Sequence, residues 1–289
     1  MTAEQTPAAG RALVLGGGGL SGIAWETGIL AGLAAGGADV TTADYVLGTS
    51  AGATVTAQIG SGLPVAVLFD RQTVPALQSA ELTPDLGRVV ELMESWEKLP
   101  LEFPDPAELR RVIGQRALAV QTVPEAERRA VIAGRLPQHS WPSRKLAVVA
   151  VEAHTGDVRV FDKDSGADLV DAVTASCAIP GIWPPVTIGG GRYVDGGTRS
   201  VVNADLAAGY QRILILAPMA DPSLDEQVAG LVAAGAEVEV ITPDDESTAA
   251  FGLNPLDPAV RAPVARAGYA QGERAAAAVA RLWQRPDFP

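Results

Sequence analysis

The chain has 289 residues, 47% of them hydrophobic and 19% charged. It is long and apolar enough to bury a large core, which excludes a disordered chain, and its glycines show no collagen-like period. Its 22 Lys and Arg against 34 Asp and Glu leave a net charge of −12, a field that repels phosphate backbones and anionic lipid surfaces over a Debye length of about 8 Å. Nucleic acid is therefore not expected as a partner. The lone cysteine, Cys177, cannot close an intramolecular disulfide, and His139 and His154 lack the Cys and His neighbours of a zinc site. A reducing compartment and a chemistry with no metal and no cofactor are expected.

Residues 1–10 carry an acid and no apolar run, so they fail as a signal peptide and read as a flexible N-terminal tail. No stretch of about 18 apolar residues marks a membrane span. With neither signal, a cytoplasmic protein is expected. From there, short β-rich runs alternate with helical patterns. Strands are predicted at 11–15, 45–49, 145–151, 158–161, 212–217 and 237–241, and helices at 23–35, 51–59, 84–99, 106–117, 124–135, 167–177, 222–234 and 263–283. Most of the strands are continuous apolar runs, as a sheet buried on both faces demands. The fold class is α/β, with a mainly parallel central sheet covered by helices on both sides. The stretch 63–144 holds helical patterns and no convincing strand. It is expected to be a helical insertion or cap continuous with a single domain over 11–289.

Two glycine motifs follow the first two strands. Gly17-Gly18-Gly19-Leu20-Ser21-Gly22 fits G-x-G-x-x-G and opens a helix, with Asp39 or Asp44 available about 20 residues on. A dinucleotide site of an oxidoreductase satisfies this pattern. So does an oxyanion hole, because a glycine turn at a helix N-terminus presents bare backbone N–H groups to any negative oxygen. Gly48-Thr49-Ser50-Ala51-Gly52 is G-x-S-x-G between a strand and a helix, the setting of a nucleophile elbow in which small neighbours let other chain pass close to a strained serine.

A nucleophilic serine needs a base. His139 lies in a proline-flanked loop and His154 in a turn between two strands, and neither setting marks it. Asp195 in Tyr193-Val194-Asp195-Gly196-Gly197 is the better candidate, an acid at the end of a short apolar run, although an Asp-Gly-Gly turn alone has the same appearance. An unperturbed Asp, with a pKa of about 3.9, is a poor base for serine, so a partly desolvated site with an apolar wall is expected. Leu77, Leu82, Leu86, Val89, Val90, Leu92, Met93 and Trp96 could form that wall or pack as ordinary core.

Taken in order, Gly17 to Gly22, Gly48 to Gly52 and Asp195-Gly196-Gly197 resemble the patatin-like phospholipase family. So do Ala175-Ser176-Cys177-Ala178-Ile179-Pro180-Gly181 and Pro184-Pro185. The resemblance implies a three-layer α/β/α fold and a phospholipase A or lysophospholipase type of serine esterase. It implies a Ser50-Asp195 dyad, an oxyanion hole from Gly17, Gly18, Gly19 and Ala51, and motif support from Gly22, Gly48, Gly52, Gly196 and Gly197. The substrate would be a lipid or acyl ester, met in transient contact with a membrane surface. One position departs from the family pattern: Ser21 stands where a basic residue usually precedes the last glycine of the first motif. Two other readings stay open, the dinucleotide-binding oxidoreductase and a catalytically weak patatin-like binding or regulatory protein.

Overall fold

The computed structural model describes residues 8–283. Eight strands, β1 (Ala8–Leu15), β2 (Tyr45–Thr49), β3 (Leu146–Glu152), β4 (Val158–Phe161), β5 (Val186–Ile188), β6 (Gly191–Asp195), β7 (Tyr210–Leu216) and β8 (Glu237–Ile241), form one mixed sheet. Its order is β5-β6-β3-β2-β1-β7-β8, with β4 also paired to β3. Pairing is parallel from β3 through β2, β1 and β7 to β8, and antiparallel around β4, β5 and β6.

The helices are α1 (Gly19–Ala35), α2 (Ala51–Gly60), α3 (Val65–Thr73), α4 (Leu86–Glu102), α5 (Pro106–Ala119), α6 (Glu125–Arg135), α7 (Leu169–Ser176), α8 (Leu224–Ala233), α9 (Asp245–Phe251) and α10 (Arg261–Trp283). Alternate strand residues face opposite sides of a sheet, which makes three layers. Leu13, Leu15, Leu214 and Leu216 pack under α1 and α10. Ala12, Val14, Ile213 and Ile215 face the other way, onto Val202, Ala204 and Leu231. A further cluster joins α2, α6 and α7 over Val148, Ala150 and Phe161. The sheet covered by helices on both sides, expected from the buried strands, and the three-layer α/β/α arrangement implied by the resemblance are thus present. No helix among the described residues is long and apolar enough to cross a membrane.

Several expectations need correction. The first strand begins at Ala8, so the last part of the expected tail belongs to the sheet, and residues 1–7 lie outside the described residues. The hairpin of β5 and β6 has no counterpart among the predicted strands, because both strands are short and polar residues interrupt them. Its two-residue turn is Gly189-Gly190, with φ of 55° and 87°, the pair of positive φ values that a type I′ turn requires. Helices α3 and α9 also lie outside the predicted set. The stretch 63–144 holds α3 to α6 and no strand.

The elbow region is closed by backbone contact. A Cβ built on Gly52 would stand 2.0 Å from the Leu15 carbonyl oxygen, and the Gly52 N–H donates to Gly16 O at 2.9 Å. This single approach locks the end of β1 against the start of α2. Gly52→Ala should therefore destabilise the protein by about 2–3 kcal/mol through overpacking, lowering the Tm by roughly 4–10 °C. Thermal unfolding followed by circular dichroism checks this, and an unchanged Tm would contradict it.

Candidate active site

Strand β2 ends at Thr49, and Ser50 turns the chain into α2 with φ 54° and ψ −110°, one of two non-glycine residues of positive φ among those described. Such a conformation costs on the order of 1–3 kcal/mol and persists only where surrounding contacts impose it. Here the Ser50 N–H donates to Ser176 Oγ at 3.0 Å, and its carbonyl accepts from Cys177 Sγ at 3.1 Å and from the Thr54 N–H at 3.2 Å. Ser176 and Cys177, part of the run that carries the family resemblance, thus hold the elbow from the end of α7.

Asp195 is brought to the serine by strand register. Along β3, Val149 pairs with Thr49 and the next residue, Ala150, pairs with Asp195. The Asp195 N–H donates to Ala178 O at 3.0 Å. The side chain is 4% exposed; Oδ1 accepts from the Gly197 N–H at 2.7 Å, whereas Oδ2 has no hydrogen-bond partner. Burial pushes the carboxyl pKa up from 3.8 to about 7, against the opposing pull of the Gly197 N–H, the Ser50 hydroxyl and the Arg128 charge. The Ser50 hydroxyl is close enough to stabilise the carboxylate without forming a full hydrogen bond, a looseness common in sites awaiting substrate. Asn203, not singled out by the sequence motifs, ties the two halves together. Its Nδ2 donates to Thr49 Oγ1 at 3.1 Å and to the Gly196 carbonyl at 3.3 Å.

The glycine loop sorts its donors. The Gly17 N–H is committed to Val201 O at 2.8 Å, and the Gly22 N–H, inside α1, to Gly18 O at 2.8 Å. Gly17, expected as an oxyanion donor, therefore has its hydrogen already engaged. The N–H groups of Gly18, Gly19 and Ala51 have no acceptor among the described residues. They stand at the N-termini of α1 and α2, where the helix dipoles favour negative charge. Gly48 lies in β2 beneath Gly52, and Gly197 caps the aspartate.

A cavity of about 20 Å³, room for roughly one water, joins Ser50, Ala51 and Gly19 to Arg128, Arg135, Cys177, Ile179, Trp183 and Leu256. Val89 and Leu82, two members of the proposed apolar stripe, pack with Ile179, Ile182, Trp183 and Leu256. Leu77 and Val90 are exposed instead; the side chains of Leu86, Leu92, Met93 and Trp96 lie outside those described. Ser21 is enclosed, its hydroxyl directed at Phe251 O and its N–H donating to Pro255 O. His139 and His154 are exposed and do not line the cavity. The described residues hold no group of His, Cys, Asp and Glu suited to a metal ion.

The sequence profile described as patatin-like phospholipase matches residues 13–208 of this chain. Among solved structures, VipD from Legionella pneumophila is similar at 14% identity and a TM-score of 0.46, over 94% of this chain and 67% of that one. The type III effector protein ExoU is similar at 16% identity and a TM-score of 0.39, over 98% of this chain and 55% of that one. No curated protein matches the chain.

The raised Asp195 pKa has a consequence for stability. Between the unfolded value of 3.8 and the folded value of about 7, the native state holds a proton that the unfolded chain releases, so stability falls as pH rises through that window. Asp195→Asn removes this loss. Its Tm advantage over the parent should grow from about pH 4 and level off above about pH 7. Paired melts at pH 5 and pH 8 check the sign, and an advantage that shrank with pH would contradict the assignment.

Proposed function

The chain belongs to the patatin-like phospholipase family, and from that premise we propose that it is a lipid acyl hydrolase, a serine carboxylic ester hydrolase of phospholipase A or lysophospholipase type, with Ser50 as nucleophile and Asp195 as general base. The observation that carries this reading is the buried Asp195 carboxyl, raised to about 7 with one oxygen unfilled, beside a serine held at positive φ. A base poised near the working pH is what serine activation needs. Surface histidines offer no competing base.

Ser50 Oγ attacks the ester carbonyl as Asp195 Oδ2 takes the hydroxyl proton. The Gly18, Gly19 and Ala51 N–H groups stabilise the negative oxygen of the tetrahedral intermediate. Asp195 then gives its proton to the departing alkoxide, leaving Ser50 acylated. Water, deprotonated by the same carboxylate, releases the fatty acid and returns the proton to Ser50. The dinucleotide reading of the glycine loop gives no role to Ser50 or Asp195. A chain without useful turnover would have no need to bury a carboxylate at this cost.

The stretch 63–144 is read as a helical insertion over the site, supported by the packing of Leu82 and Val89 on Trp183 and Ile182. With room for one water beside Ser50, an acyl chain enters only as this wall moves. Contact with a lipid surface, where an apolar wall can part without meeting water, suits that requirement.

Ser50→Ala should lower kcat/KM for a short-chain p-nitrophenyl ester by more than about 10³-fold, the scale for loss of a nucleophile, and Asp195→Asn should match it. His139→Gln and His154→Gln should each stay within about threefold of the parent, unlike a triad histidine. Steady-state kinetics on folded variants decide the matter. A histidine variant as inactive as Asp195→Asn would replace the dyad with a triad.

A further inference from the structure

The buried face of α6 is unusual, because Arg128, Ile132 and Arg135 lie on one side of the helix at i, i+4 and i+7, so its core stripe is mostly guanidinium. Arg135 is satisfied by Glu81, through Nε at 3.0 Å and Nη2 at 2.6 Å. Arg261 approaches the same carboxylate at 4.0 Å and donates to Gln72, Ser79 and the Arg71 carbonyl. Arg128 is left over. It is 3% exposed, its guanidinium lies 4.0 Å from the ring centroid of Trp183, and its Nε and Nη1 have no hydrogen-bond partner. The Trp183 Nε1–H is likewise buried and unfilled. Arg128 and Trp183 both line the cavity that contains Ser50.

We propose that Arg128, backed by Trp183, is the receptor for an anionic oxygen group on the substrate, the phosphate of a lysophospholipid headgroup, held next to the ester that Ser50 attacks. The inference rests on the acyl-hydrolase reading above. Buried N–H donors without acceptors are costly in a structure that gains nothing from them, and here they face the site. A guanidinium fork matches phosphate oxygens in pairs, and stacking on an aromatic ring fixes its plane without using its donors. Local charge points the same way. Glu81 is already occupied by two other guanidinium groups, those of Arg135 and Arg261, which leaves Arg128 without a carboxylate partner. Burial, and then the charge of Arg135, hold the Arg128 pKa down at about 9, so a bound anion relieves a cation that its surroundings disfavour. Helix α6 brings the Arg128 guanidinium to the wall of the cavity that contains Ser50. The net charge of −12 repels anionic membranes at long range, which favours a zwitterionic phosphate over a multiply charged one.

The test compares lysophosphatidylcholine with a monoacylglycerol of the same acyl chain, below their critical micelle concentrations. Arg128→Met should reduce the ratio of kcat/KM on the phosphate-bearing lipid to that on the neutral one by about tenfold or more, through a raised KM, the scale of a lost charge-assisted pair. Arg128→Lys, which keeps the charge and loses the fork, should recover part of the ratio and serves as the second variant if the methionine form misfolds. An unchanged ratio in either folded variant overturns the proposal and leaves the acyl-hydrolase reading standing. Calorimetric titration of the Ser50→Ala protein separates the two ideas. If the parent hydrolyses neither lipid, tighter binding of the phosphate-bearing lipid that disappears in the Ser50→Ala, Arg128→Met double variant keeps the receptor and removes the hydrolase. Equal binding of both lipids removes the receptor. Inorganic phosphate in the same titration identifies the source. Arg128-dependent competition with the lysolipid means that a free anion suffices, and its failure to bind means that the acyl chain must carry the phosphate in.

Discussion

A carboxylate buried beside a serine must be prevented from finding a better partner, and much of this fold is arranged around that constraint. Asp195 receives one N–H, from Gly197, on one oxygen and nothing on the other, while burial keeps its proton affinity near neutrality. Were the second oxygen paired with an arginine, its pKa would fall and its basicity with it. Arg128 exerts only a long-range pull, and Arg135 and Arg261 are turned toward Glu81.

Holding such a group requires rigid neighbours. The aspartate sits at the end of an antiparallel strand that joins β3 one residue past the point where β2 pairs with it. The serine sits where β2 turns into α2, under the close contact between Gly52 and the Leu15 carbonyl. Asn203 links Thr49 with Gly196, and so joins the residues next to Ser50 and Asp195 through hydrogen bonds instead of through the helices. Strain at Ser50 and desolvation at Asp195 are both costs to the folded state, and the cores on the two faces of the sheet offset them.

The sheet was largely legible in the sequence because its central strands β1, β2, β3 and β7 are mostly apolar runs; β2 and the peripheral strands β4 and β8, in which apolar and charged residues alternate, begin and end where their residues predict. The Gly-Thr-Ser-Ala-Gly motif located the elbow because its small residues are demanded by backbone contact, which leaves little choice of side chain. The β5–β6 hairpin escaped because its strands are short and stabilised by tertiary pairing with β3. The engagement of the Gly17 N–H by Val201 was not legible, since nothing local marks an acceptor almost two hundred residues away. Arg128 was hidden by the usual rule that arginine faces water. Its spacing with Ile132 and Arg135 was visible in the sequence, but only the packing of α6 over Trp183 turns that spacing into a buried face.

The central claim is that Ser50 is a nucleophile activated by Asp195. The measurement that tests it most directly is reaction with a fluorophosphonate, an electrophile that captures an activated serine, followed by intact mass and peptide mapping. The account predicts a single adduct, on Ser50, formed at a rate that rises with pH through about 7 as Asp195 loses its proton. No adduct on the folded protein, or an adduct on another residue while Ser50 stays free, would contradict it.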